Sequence, residues 1–148
     1  MKIRLWIAAF GLVALAGTAF AQVASAPGDV IAERRAGLKR MGQHMEAMKP
    51  VAEARGDVRA LTPRIDDMIA WYRGLPALFP EGSGTGDTKA LPAIWSDRAG
   101  FEAADQKLLG QLDVLKAAAT SGDPAAFATA FQATGPACGG CHRPYRAR

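Results

Sequence analysis

The chain has 148 residues, 22% of them charged, and a formal net charge of +4 at pH 7. That length suits one domain. No basic run with interleaved aromatic side chains occurs, which excludes the usual surface for binding nucleic acid. The only two cysteines, Cys138 and Cys141, lie close to the C-terminus.

The N-terminal segment has the three parts of a signal peptide. Lys2 and Arg4 supply positive charge, an apolar stretch follows, and Ala19-Phe20-Ala21 puts small residues where a signal peptidase cleaves. We predict that residues 1–21 are removed and that the mature domain spans residues 22–148. A retained membrane anchor is the alternative, but the apolar run is short against the ~20 residues that span a bilayer. Export predicts a periplasmic protein with no membrane attachment after cleavage.

Four amphipathic segments follow, with apolar residues at the three- and four-residue steps of a helix. They run from about 29 to 54, 57 to 78, 94 to 119, and from 123 into the C-terminal motif. Pro63 indicates that the second helix begins near it, and Asp123-Pro124 pairs an N-cap with proline at the first helical position. No strand-like alternation occurs. The simplest fold is all-α, an antiparallel up-down-up-down four-helix bundle.

One connection is long and rich in glycine. It runs from 75 to 92 and contains spaced glycines between Glu81 and Asp87. A phosphate-binding loop needs a strand before it and a helix directly after it, and the sequence predicts neither here. We therefore expect this segment to cross over the end of the bundle.

Cys138-Gly139-Gly140-Cys141-His142 is the C-x-x-C-H motif of haem c attachment. On a helical turn both sulfurs lie beside one porphyrin edge, where they add to the vinyl groups, and His142 becomes the axial iron ligand. A disulfide is an alternative, as is a thioredoxin-like pair, although the latter follows a strand in a βαβ unit. A zinc site needs further ligands, and His44 is the only other histidine. We predict one covalent haem c, with the crossover folded against its edge.

Any sixth iron ligand must come from earlier in the chain, and the first helix is the natural donor. Its stripe at 31, 38, 41, 45 and 48 is apolar, but Arg34 interrupts it. A guanidinium on a core stripe is costly unless it meets an anion, and a bidentate pair with a haem propionate fits. Alternatively, Arg34 extends to water. Leu38, one turn further, would project over the porphyrin and leave the iron five-coordinate.

This combination of features resembles the cytochrome c′ family, the class II c-type cytochromes of the bacterial periplasm. The resemblance covers nearly all of residues 22–148. It rests on Arg34 to Val51, on Ile94-Trp95-Ser96-Asp97, and on the haem motif followed by Tyr145-Arg146. It implies a four-helix bundle, usually a homodimer, with five-coordinate haem iron that binds nitric oxide and carbon monoxide and discriminates against dioxygen. It also implies nitric oxide carriage or protection, or electron transfer with a redox partner that the sequence does not identify.

The resemblance also assigns roles to individual residues. It implies propionate contacts for Arg34 and Arg35, a distal guard in Leu38, a haem-edge stretch at Asp87 and Thr88, and an arginine beside the axial histidine in Arg146. Pro144 departs from the family pattern. A proline there removes a helical hydrogen bond, so we expect the helix to end or kink at Arg143, which leaves the position of Arg146 open.

Three functional hypotheses remain. The first is an open-site gas-binding protein whose pocket lacks a hydrogen-bond donor for dioxygen. The second is a low-spin electron carrier that resembles cytochrome c-556, with Met41 brought to the iron by a shift of register. The third is an enzyme, such as a nitric oxide reductase or a peroxidase, which needs a distal acid–base group. His44 lies nearly opposite Leu38 on the helix, so we expect it to be exposed and predict no enzymatic activity.

Overall fold

The computed structural model describes residues 27–148, so the predicted signal segment 1–21 lies outside the described residues. The helices are α1 (Pro27–Ala54), α2 (Thr62–Arg73), the short α3 (Ala93–Ser96), α4 (Arg98–Ser121) and α5 (Pro124–Tyr145). Single 3₁₀ turns, Arg59–Leu61 and Leu75–Leu78, flank α2. Within this part of the chain the only β-type pairing is one antiparallel bridge, between Ala90 and Arg146.

The four longer helices form a four-helix bundle, as predicted. The helices α2 and α5 each pack against both α1 and α4. Apolar stripes from all four meet in the core, whose fully buried members include Met48, Ile65, Met68, Phe101, Leu112, Leu115 and Phe127. The connections from α1 to α2 and from α4 to α5 are short, so these chain neighbours run antiparallel, and the long crossover joins α2 to α4. None of the described helices is long and apolar enough to cross a membrane.

The corner after α1 is built on an arginine. Arg55 takes the left-handed conformation with φ of 50°, and the Gly56 N–H bonds the Val51 carbonyl at 3.0 Å. This is the hydrogen bond of a Schellman motif, which usually places glycine at the left-handed position. The left-handed position of this corner is thus taken by Arg55 rather than by the neighbouring Gly56, and its side chain has a steric cost there.

N-capping aspartates explain where α4 and α5 begin. The predicted third segment is divided at Asp97, whose backbone is not helical and whose Oδ1 accepts a hydrogen bond from the Gly100 N–H at 3.2 Å. Asp123 accepts hydrogen bonds from the backbone N–H groups of Ala125 and Ala126. The predicted N-cap at Asp123 is therefore confirmed.

The helix α5 does not end at Arg143, so that part of the prediction is wrong. It passes Pro144 and finishes at Tyr145, and the Arg146 N–H still bonds the His142 carbonyl at 3.2 Å. A proline in the last turn removes only one hydrogen bond, and pairing beyond the helix holds this end in place. Leu91 N–H donates to Tyr145 O at 3.0 Å, and Ala147 N–H donates to Lys89 O at 2.8 Å. Residues 145–147, paired with residues 89–91, form what we term the C-terminal strap.

Candidate functional site

A cavity of about 580 Å³ lies among the helices and the crossover. Its volume falls within the roughly 300–1,000 Å³ typical of cofactor and ligand sites. All nine predicted site residues line it: Arg34, Arg35, Leu38, Asp87, Thr88, Cys138, Cys141, His142 and Arg146. The structure therefore brings together residues from α1, the crossover, α5 and the C-terminal strap around one space.

Cys138 and Cys141 are free, half-buried thiols near the end of α5. Their spacing puts them on the same face of the helix. Burial raises the pKa of Cys138, and burial together with nearby acidic groups raises that of Cys141 to about 11. A redox-active C-x-x-C pair has the opposite property, a lowered thiol pKa. Together with the absence of a preceding strand in the described chain, this excludes the thioredoxin-like alternative.

The imidazole of His142 lines the same cavity one residue after Cys141. Burial and the charge of Arg146 lower its pKa, so the ring is neutral at pH 7, which is the form that binds metals. The C-terminal strap holds Arg146 in an extended conformation beside this histidine. Among the described residues no group of three or more His, Cys, Asp and Glu side chains could hold a metal ion by itself. The zinc alternative therefore fails.

Arg34 is 2% exposed, so it does not extend to water. Its Nη1 donates to Ser83 Oγ at 2.9 Å and to Leu78 O at 3.3 Å. Its Nη2 donates to Ser83 O at 2.6 Å and to Thr88 Oγ1 at 2.7 Å. The guanidinium also lies 4.5 Å from the centre of the Phe79 ring. Arg34 thus ties α1 to the crossover.

The bonding of Arg34 limits how it meets an anion. All four N–H groups of Nη1 and Nη2 are engaged with the crossover, which leaves Nε–H. A bidentate pair with a propionate, as expected from the sequence, would require loop hydrogen bonds to break. Burial lowers the pKa of Arg34, and its bonds to neutral oxygens offset part of the cost of burying the charge. A single bond through Nε–H and the positive potential remain available to a cofactor carboxylate.

Arg35 and Asp87 form an ion pair at the rim of the cavity. Both side chains are largely exposed. Thr88, the next residue, accepts hydrogen bonds from Arg34 and from the Ala90 N–H. The crossover therefore contributes one acidic and one neutral polar group beside Arg34 and Arg35. An incoming carboxylate would share Arg35 with Asp87.

The part of α1 below the arginines presents hydrocarbon and thioether side chains. Leu38 lines the cavity and is 37% exposed, an unusual state for a leucine on an otherwise buried stripe. Met41 also lines the cavity but is only 2% exposed and packs with the core. Met45 lines it too and is half-buried. Leu38 is therefore the α1 apolar side chain that the fold leaves uncovered.

Sequence reasoning missed two polar residues in the cavity wall. Tyr72 on α2 and Asp105 on α4 both line it, and burial raises the pKa of the Tyr72 phenol, which therefore remains a hydrogen-bond donor. The cavity as a whole therefore contains a donor, while the expectation that the bound gas meets no donor stays a prediction. Tyr72 falls on the buried stripe of α2 with Ile65, Met68 and Ile69, so the sequence pattern does not set it apart from a core residue. The signal for Asp105 was a carboxylate on the Phe101–Leu108 face.

His44 is not exposed, contrary to the expectation from the sequence. Its side chain is 14% exposed, and Nε2 lies 2.8 Å from Asp67 Oδ2 on α2. The prediction placed His44 opposite Leu38, toward solvent, but that face of α1 turns toward α2. His44 does not line the cavity.

Known proteins resemble this chain in both sequence and structure. A family model described as Cytochrome C′ matches residues 29–146. The chain belongs to the cytochrome c′ family. A cytochrome c′ from Rhodopseudomonas palustris is 39% identical over 154 residues and covers 100% of this chain and 99% of that protein. One from Rubrivivax gelatinosus is 34% identical over 124 residues, with 81% and 95% covered.

Solved cytochromes c′ have the same bundle. The crystal structure of the Rubrivivax gelatinosus protein has a TM-score of 0.74 at 32% identity and covers 82% of this chain and 97% of that chain. A nitric oxide complex of a mutant cytochrome c′ from Alcaligenes xylosoxidans has a TM-score of 0.75 at 29% identity, with 82% and 97% covered. Membership in the family implies a haem c cofactor. The cavity fits that group, since it offers free thiols, a neutral imidazole and arginines around an apolar interior.

Proposed function

We propose that this cytochrome c′ is a periplasmic protein with one haem attached through Cys138 and Cys141. His142 holds the iron on one side, and the other side is open to nitric oxide or carbon monoxide. The observation that carries this proposal is that both thiols, the neutral imidazole and an uncovered leucine line a single cavity. The bound haem supplies the metal–ligand bond, and the chain supplies attachment, orientation and selection.

Attachment and orientation come from α5 and the polar rim. Cys138 and Cys141 are free, reduced thiols, which is what addition to the two haem vinyl groups requires. Arg34 and Arg35 provide positive charge for the propionates, with Arg35 the more accessible of the two. Burial, and then the charge of Arg146 held by the C-terminal strap, lower the pKa of His142 and so favour its neutral form. These contacts fix the cofactor at both of its edges.

Selection at the open site rests on Leu38. Its hydrocarbon side chain cannot ligate iron, and it shields the coordination position that a small neutral gas would enter. The tight packing of Met41 in the core supports an open site, because a sulfur ligand would have to leave that packing. Discrimination against dioxygen then depends on whether the Tyr72 phenol reaches the bound gas. Nitric oxide complexes of a relative support the choice of ligand.

A second candidate is a low-spin electron carrier, and one observation favours it. The thioethers of Met41 and Met45 line the cavity on the same helix as Leu38. A rotation of α1 would bring Met41 toward the iron and close the site. Electron transfer to an unidentified redox partner is compatible with either coordination state. We propose no enzymatic activity. A homodimer is proposed from the family alone.

Gas-binding kinetics test the open site. Leu38→Ala removes the shield, so carbon monoxide should associate with the ferrous protein at least about tenfold faster, a barrier change of ~1.4 kcal/mol. Val114→Ala is the matched control, since Val114 is an exposed apolar residue away from the cavity. Met41→Leu should leave binding unchanged, as should Met48→Leu outside the cavity. If Met41→Leu alone creates gas binding, the electron-carrier hypothesis replaces ours.

A further inference from the structure

An unpaired carboxylate lies in the wall of the cavity. Asp105 is 2% exposed and lines the cavity from α4. Neither its Oδ1 nor its Oδ2 has a hydrogen-bond partner, and among the described residues these are the only buried side-chain polar atoms in that state. Native proteins leave few buried polar groups unsatisfied, because each costs free energy. An unpaired carboxylate at this buried position therefore indicates a function.

The groups that face Asp105 do not neutralise it. The helix α2 contributes the phenol of Tyr72, and α5 contributes Cys141 with Cys138 beside it. Glu102 lies one turn earlier on α4. Burial, and then the charge of Glu102, raise the pKa of Asp105 to about 6. The carboxyl group thus changes its charge close to physiological pH.

The cationic side chains that line the cavity do not stabilise the ionised form of Asp105. Arg34, Lys39 and Arg146 line the same space, but none of them lowers the pKa of Asp105. Asp105 is also not among the groups that shift the pKa of His142. Once the two cysteines are thioethers they no longer ionise. Asp105 is then the acidic group of the inner wall that remains free to exchange a proton.

We propose that Asp105 is a proton-binding site coupled to the oxidation state of the haem iron, so that this protein takes up a proton together with an electron. The inference rests on the haem attachment proposed above. A ferric haem carries one more positive charge than a ferrous haem, and a nearby positive charge favours an ionised carboxylate. When a one-electron donor reduces the iron, Asp105 loses this attraction and binds a proton from solvent. When the electron leaves to an acceptor, Asp105 returns that proton to water.

The coupling is reciprocal, so ionised Asp105 lowers the reduction potential of the iron. A tenfold difference in the proton affinity of Asp105 between the two oxidation states corresponds to about 59 mV for a one-electron couple. The propionates of a bound haem would also titrate, and Arg34 and Arg35 are the cavity residues that would hold them. A test must therefore separate the carboxylate of the inner wall from those of the cofactor.

Potentiometry of the holoprotein makes that separation. The midpoint potential is measured from about pH 5 to pH 8 in the wild type, in Asp105→Asn and in Asp113→Asn, which alters an exposed carboxylate on the same helix. We expect the potential of the wild type and of Asp113→Asn to fall as pH rises, and that of Asp105→Asn to lose this fall. An unchanged pH dependence in Asp105→Asn would assign the proton to another group and overturn the proposal.

Redox-difference infrared spectroscopy detects the protonated carboxyl group itself, so it does not depend on a shift of the midpoint potential. Reduction of the wild type near pH 6 should produce the C=O band of a protonated carboxyl group, and this band should be missing in Asp105→Asn. If Asp105→Asn does not retain haem, Asp105→Glu should shift the band instead. A wild-type spectrum without the band contradicts the proposal. Carbon monoxide binding, measured on the same samples, reports separately on the open coordination site.

Discussion

Nη2 of Arg34 donates a 2.6 Å hydrogen bond to the carbonyl oxygen of Ser83, and both residues are buried. The bond joins the helix that carries Leu38 to the crossover that carries Asp87 and Thr88. It therefore sets the distance between two walls of the haem site. The charge of Arg34 contributes to this joint as much as to any contact with the cofactor.

Replacing this arginine should weaken the whole site. Arg34→Met leaves the Ser83 carbonyl buried without its donor and should lower the free energy of unfolding by about 3 kcal/mol, as buried unsatisfied groups do. Arg40→Met is the matched control, because Arg40, which is also on α1, makes only a surface ion pair with Asp67 of α2, and its loss should cost about 1 kcal/mol or less. Urea unfolding of the holoproteins measures both. Equal losses would show that Arg34 contributes no more than a surface arginine.

The strained corner after α1 predicts a stabilising change. Arg55→Gly removes a side chain from a left-handed backbone position and should stabilise the protein by about 1 kcal/mol or less. Gly122→Ala is the converse. Gly122 has φ of 74°, and an added Cβ would meet the Arg59 guanidinium, which bonds the Ser121 carbonyl at 2.6 Å. Thermal unfolding should move upward for the first variant and downward for the second, and a lower transition for Arg55→Gly would contradict the strain.

Asp105 predicts a pH-dependent stability. Its folded pKa, about 6, lies above the ordinary value of 3.8. Below about pH 4, Asp105 is protonated in both the folded and the unfolded state and costs no stability. As pH rises from there through about 6, the unfolded state releases the proton first, so the free energy of unfolding falls. Relative to Asp105→Asn, the wild type should lose up to about 3 kcal/mol between those values. Unfolding at both pH values measures this difference, and Asp113→Asn should track the wild type. If the difference in stability between the wild type and Asp105→Asn does not change with pH, ionisation of Asp105 does not destabilise the folded state.

A single substitution should close the open site. Leu38→Met places a thioether on the cavity-facing position and should give a six-coordinate, low-spin iron that no longer binds carbon monoxide. Leu109→Met makes the same change at a buried leucine of α4 that does not line the cavity. Electron paramagnetic resonance of the ferric proteins distinguishes the spin states. A high-spin signal in Leu38→Met would mean that this position does not face the iron.

The proposed haem-binding residues could be predicted as a group because the motif is contiguous. Cys138, Cys141 and His142 share one helical turn, so their mutual geometry follows from local structure alone. The helices were predictable for a similar reason, since their apolar periodicity is strong. Arg34 was recognised as anomalous on the same pattern. Its partners at Ser83 and Thr88 lie in a crossover without periodicity, and no local rule places them.

The remaining differences arise from long-range contacts. Pro144 would disturb an isolated helix, but here the C-terminal strap binds the chain on either side of Tyr145 to the crossover. His44 was misplaced because the rotation of α1 against α2 is set by packing of the whole bundle. Asp105 was overlooked because a carboxylate between Phe101 and Leu108 is usually assigned to the edge of a stripe. Only the assembled cavity reveals that it is buried without a partner.

The open coordination site is tested most directly by the absorption spectrum of the ferrous holoprotein before and after addition of carbon monoxide. With Leu38 over a five-coordinate iron held by His142, we expect a broad high-spin Soret band that sharpens and shifts when the gas is added. Sharp low-spin bands that do not respond to carbon monoxide would place a ligand such as Met41 on the iron and contradict this structure-based function.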